Sequence, residues 1–96
     1  MSRPTIFKFR LYVAGDTLNS MQALANLTAL CRDYLPNRHD IEVVDLLREP
    51  KRALADGVLM TPTLLILAPS PARRIVGTLN QRQTLLQTLG LGTLVA

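Results

Sequence analysis

The chain has 96 residues, 48% of them hydrophobic, with a formal net charge of +4; that is enough for one modest core and too little for two. Without Trp, and with only Phe7, Phe9, Tyr12 and Tyr34 as aromatics, it lacks a platform for stacking bases. Its basic residues (Arg3, Lys8, Arg10, Arg32, Arg38, Arg48, Lys51, Arg52, Arg73, Arg74 and Arg82) are scattered, with acids near several of them, which argues against a nucleic-acid partner.

From Ile6 to Val13 apolar and basic residues alternate, the period of a strand with one buried face. Gly15-Asp16-Thr17 breaks it, and Asn19 or Ser20 is expected to cap a helix over Ser20–Tyr34, with Leu24, Leu27, Cys31 and Tyr34 or Leu35 forming its apolar stripe. Pro36-Asn37 ends that helix. The β-branched run Ile41–Leu46 then predicts a second strand, parallel to the first through a right-handed crossover.

Pro50 suits the first turn of a short polar helix, Lys51–Asp56, which Gly57 can end in a left-handed cap. Leu64–Leu67 reads as a buried strand. Pro69-Ser70-Pro71 turns the chain into a last strand at Arg73–Gly77, antiparallel to it. Asn80 and Gln83 resemble a capping box opening a final helix with Leu85, Leu86 and Leu89, stopped by Gly90 and Gly92. Two conflicts stand in this second half. Thr84 and Thr88 each cost about 0.6 kcal/mol in a helix relative to Ala, and the run Leu64–Leu67 has no period to decide between helix and strand.

The order β-α-β-α-β-β-α is that of an α/β, thioredoxin-like domain. Thioredoxin chemistry needs a Cys-x-x-Cys where the helix N-terminus lowers a thiol pKa; here that stretch reads Gly15-Asp16-Thr17-Leu18-Asn19-Ser20. Cys31 lies in the apolar stripe and reads as a packing residue. His39 stands alone in a loop with no ligand-spaced partners, and no serine has a recognisable base, so hydrolysis and metal chemistry have no support. No apolar stretch reaches the ~18 residues of a membrane span, and Arg3-Pro4-Thr5 does not open a signal peptide. The expectation is a cytoplasmic, stand-alone domain with no membrane partner.

Leu11-Tyr12-Val13-Ala14-Gly15, Asn19-Ser20, Val44-Asp45-Leu46, Glu49-Pro50, Thr61-Pro62-Thr63-Leu64 and Arg73-Arg74-Ile75-Val76-Gly77, in this order and spacing, resemble the KaiB family of clock proteins across nearly the whole chain. The resemblance implies a non-catalytic regulator without a cofactor. It also implies reversible fold switching: the first half keeps its βαβ unit, while the second exchanges helices and strands between an oligomeric ground state and a thioredoxin-like state that binds a KaiC-type ATPase. A KaiA-like protein or a histidine kinase would be further partners, and a homo-oligomer, dimer or tetramer, would be the resting form.

On this reading Lys51, Arg52 and Asp56 face the partner. Arg73 and Arg74 are a partner-binding pair or charges that protect an edge strand. Pro62, Pro69, Pro71, Gly77 and Gly90 are conformational-switch positions; Pro62 matches the loop proline that is typically cis in thioredoxin-like domains, and slow isomerisation at Pro69 and Pro71 would delay a switch. The sequence departs from the cyanobacterial pattern at Glu42, Gly57 and Ser70 and in an apolar ending, Gly90 to Ala96, where an acidic tail is usual. The ending favours self-association, which removal of Leu91–Ala96 should weaken, and the departures as a whole set KaiA binding apart from the rest of the inference. Two other readings of the same fold are an interaction module in stress or redox signalling and a KaiB-like sensor domain of a histidine kinase.

Overall fold

A computed structural model describes residues 5–91. The alternating segment forms β1 (Phe7–Val13), which pairs in parallel with β2 (His39–Asp45) after the crossover helix α1 (Leu18–Tyr34). A short α2 (Pro50–Ala55) leads to the hairpin β3 (Thr63–Ala68) and β4 (Arg73–Val76), and α3 (Arg82–Thr88) follows. The sheet order is β2-β1-β3-β4, with β1–β3 and β3–β4 antiparallel. This is the expected βαβαββα order. Of the apolar ending expected to favour self-association, Gly90 to Ala96, Leu91 packs against the main core, and 92–96, with Gly92, lie outside the described residues.

Because side chains alternate across a strand, the sheet has two different faces. Phe7, Phe9, Leu11 and Val13 of β1 join Leu64 and Ile66 of β3 beneath α1 and α3, where Ala23, Leu27, Leu30, Cys31, Leu85, Leu86 and Leu89 close the main core. Tyr12, Val44 and Leu65 face the other way and meet Ala53 and Val58 in a smaller cluster under α2. Ala53 is the sole buried residue of α2.

Several local expectations shift. The N-cap of α1 is Thr17, not Asn19 or Ser20, and its side chain makes no cap bond. Ser20 is buried instead, its Oγ taking the Ala14 N–H at 3.0 Å and the Thr17 hydroxyl at 2.8 Å. Of Tyr34 and Leu35, Leu35 turns inward, and Tyr34 stays exposed beneath the Arg82 guanidinium. His39 begins β2 rather than sitting in a loop, its Nδ1 2.7 Å from the Leu35 carbonyl oxygen. The capping box at Asn80 and Gln83 does not form, because α3 starts one residue later with Gln81 as N-cap.

Both short helices end in the same way. At α2, Val58 N–H donates to the Ala53 carbonyl at 2.8 Å and Gly57 N–H to Leu54 at 3.1 Å; at α3, Leu91 N–H donates to Leu86 at 2.8 Å and Gly90 N–H to Gln87 at 3.0 Å. These are Schellman caps, with Gly57 (φ 68) and Gly90 (φ 75) in the left-handed conformation such a cap requires. Leu79, on the β4–α3 connection, also has a positive φ, 62, although it carries a branched side chain and is buried. A leucine in that region costs roughly 1–2 kcal/mol, so packing of Leu79 into the main core holds strain at that joint. Among the described residues no helix is long and apolar enough to cross a membrane.

Candidate functional site

The face carrying α2 collects most of the long-range polar contacts. Arg10 and Tyr12 are two residues apart in β1 and so share a face; beside Arg10 in the parallel register lies Glu42 of β2. Arg10 Nε donates to Glu42 Oε1 at 2.8 Å, and its Nη1 to Asp56 Oδ2 at 3.0 Å. Arg52 Nη2 reaches the other oxygen of Glu42 at 2.8 Å, with Glu49 3.5 Å away. The Tyr12 hydroxyl lies 2.6 Å from Asp56 Oδ2 and 3.0 Å from the Arg52 carbonyl oxygen. One connected network therefore ties β1 and β2 to both ends of α2.

The electrostatics follow from these contacts. The Tyr12 hydroxyl, and then the Arg10 guanidinium, hold the Asp56 carboxyl below the usual carboxylate range. Glu42 is lowered by Arg10 and Arg52. Burial first, and the bond to Asp56 second, push the Tyr12 phenol up to about 12. Each of these shifts favours the protonation state that keeps α2 attached.

Lys51 is exposed on α2 and makes no ion pair with the described acids. Arg52 and Asp56 are half-buried and occupied by the network; Asp56 is the C-cap of α2 rather than part of its outer face. In the same stretch of chain, 47–54, Leu47 is 71% and Leu54 73% exposed and Arg48 stands well out in solvent, with Glu49 beside it. Composition alone did not single out Leu47, Leu54, Arg10 or Tyr12. The signal for the last two was their spacing, which puts a cation and a phenol side by side on the same face.

Arg73 and Arg74 do not form a pair. Consecutive strand residues point to opposite faces, so Arg73, opposite Ile66, lies with α3, and Arg74, opposite Leu65, lies with α2. Arg73 Nη1 donates to the Thr88 carbonyl, and Arg74 donates to the carbonyls of Gly57 at 3.0 Å and Asp56 at 2.7 Å. A joint two-arginine fork on one acidic patch is therefore not available in this arrangement. The residues expected to be switch positions all fall at joints: Pro62 before β3, Pro69 and Pro71 in the hairpin, Gly77 after β4 and Gly90 after α3. The Thr61-Pro62, Ala68-Pro69 and Ser70-Pro71 peptide bonds are cis, and Gly77 has φ 120.

Where a thioredoxin-like oxidoreductase carries its thiols, the cleft between the start of α1 and the end of β2 is lined by Gly15, Asp16, Ser20, Met21 and Asp45. Asp45 Oδ1 accepts the N–H groups of Gly15 at 3.1 Å and Leu47 at 2.9 Å, so its task there is to hold two loops together. Cys31 is buried at 0% exposure, and burial raises its thiol to about 11.

A KaiB domain model matches residues 10–91, which spans the network and both short helices. The circadian clock protein KaiB3 of Synechocystis sp. is 37% identical over 82 residues, covering 85% of this chain and 78% of that protein. The circadian clock oscillator protein KaiB of Prochlorococcus marinus is 41% identical over 91 residues, covering 95% and 76%. Among solved structures, the N-terminal domain of SasA from Synechococcus elongatus superposes with a TM-score of 0.74 at 15% identity, over 100% of this chain and 94% of that one. At that identity the likeness shows the fold, which is thioredoxin-like.

Proposed function

The chain belongs to the KaiB family of clock regulatory proteins, and from that premise we propose that it acts without catalysis, in the cytoplasm, by docking onto a KaiC-type ATPase. The observation that carries this reading is the outer surface of α2 and its approach. Lys51 and Arg48 stand exposed close together, and Leu47 and Leu54 are exposed in the same stretch of chain, a basic and apolar segment that fits an acidic partner surface with an apolar patch. Arg52 and Asp56 contribute from beneath by fixing α2, Arg74 lies at its edge, and Arg73 acts on the opposite face through α3.

The second half is also proposed to adopt another arrangement, with Pro62, Pro69, Pro71, Gly77 and Gly90 at its joints. Two features support this. At 6 and 7 residues, α2 and α3 are far below the length at which a helix persists without tertiary contacts, about 12–15 residues. Leu79 carries backbone strain at the joint between β4 and α3, and release of that strain favours a rival packing. A gap of a few kcal/mol between two packings is within reach of a binding partner.

Size-exclusion chromatography with light scattering, on this protein incubated with a KaiC-type ATPase and ATP, tests the proposal. A co-eluting complex that forms slowly, and that Lys51→Glu weakens, is the expected result. Absence of a complex after prolonged incubation would overturn it and leave an interaction domain with a different partner. Light scattering of the protein alone reports whether the proposed resting dimer or tetramer exists.

A further inference from the structure

The last carbonyls of a helix have no partner within it and carry the negative end of its dipole. In the Schellman caps that close α2 and α3, the Ala53 and Leu54 carbonyls and their counterparts Leu86 and Gln87 are taken by the chain itself. Further carbonyls at the two helix ends are taken by β4. Arg74 donates to those of Asp56, the C-cap of α2, and Gly57, the residue after it; Arg73 donates to that of Thr88, the last residue of α3. Asp56 is thus gripped twice, its carbonyl by Arg74 from β4 and its carboxylate by Tyr12 and Arg10 from β1. That grip matters because α2 buries only Ala53 and cannot be held by apolar contact alone.

We propose that Arg73 and Arg74 are two opposed clamps, each holding carbonyls at the C-terminal end of one helix, and that Arg74 serves partner binding by positioning α2 rather than by touching the partner. The role of Arg74 in binding rests on the docking reading above; the clamp itself does not. A planar guanidinium suits the task, since its two Nη groups reach two successive carbonyls at once, which a single ammonium cannot do in a fixed geometry.

Amide hydrogen exchange of the free protein separates the two ideas. Arg74→Met, which keeps the aliphatic stem and removes the donors, should speed exchange about tenfold in residues 50–58 and leave 82–91 unchanged. Arg73→Met should do the reverse, and Arg74→Lys should not restore protection to 50–58. Affinity for the KaiC-type ATPase should fall for Arg74→Met by the factor by which the attached population of α2 falls, and no further. Unchanged exchange in residues 50–58 of Arg74→Met would overturn the clamp, and unchanged exchange together with lost affinity would make Arg74 a direct contact. Failure of the unsubstituted protein to bind the ATPase would refute the docking reading, and the exchange data would still decide the clamp.

Discussion

Tyr12→Phe removes a single oxygen from a side chain that is 0% exposed and leaves the ring in its cluster with Val44, Val58 and Leu65. What disappears is the hydroxyl 2.6 Å from the Asp56 carboxylate. A hydrogen bond to a charged group contributes about 1.5–3 kcal/mol net. Asp56 retains Arg10 at 3.0 Å and is not orphaned, so the expected loss is in the lower part of that range, about 1.5–2 kcal/mol. For a domain of this size that corresponds to a fall of about 10 °C in Tm.

The same bond gives the loss a pH signature. The folded-state pKa of Asp56 is lowered, with Tyr12 the largest cause, so its contribution is present above the ordinary carboxylate range and fades as pH falls through the lower folded value. The phenol of Tyr12 is raised from 10.0 to about 12, so its contribution is complete below pH 10 and fades as pH rises towards 12. The deficit of Tyr12→Phe should therefore be greatest between these limits and narrow at both ends. Urea denaturation across pH, at one protein concentration and with an unchanged m-value, measures it. A deficit that is absent, or that is the same at every pH, would refute the role assigned to the Tyr12–Asp56 contact.

Leu27→Ala, at a fully buried position of α1 facing the sheet, should cost about 2–5 kcal/mol in the same assay. Gly57→Ala meets nothing closer than Arg74 at 3.8 Å, so its cost should come from the backbone alone, about 1 kcal/mol for a side chain at φ 68. Cys31, buried and with its thiol raised to about 11, should resist a thiol reagent in the native protein at pH 8 and react fast in denaturant; rapid native labelling would contradict its place in the core.

Local signals in the chain settled much of this protein. Period-two alternation in 6–13, β-branched residues in 41–46 and turn residues between the apolar runs marked β1, α1 and β2 and the order of the elements, because each depends on dihedral preference and periodicity within a few residues. Gly57 and Gly90 marked both left-handed helix ends for the same reason. In 64–67 and 82–88 periodicity and propensity conflict, and burial against the sheet decides. The adjacency of Arg73 and Arg74 in the chain misled, since neighbours in a strand are separated by the sheet itself. Nor could Asp56 be matched from the sequence with Arg10 and Tyr12, more than forty residues away. Such contacts form only once the parallel and antiparallel registers bring β1, β2 and α2 to one face, and those registers are decided by which apolar side chains can be buried together.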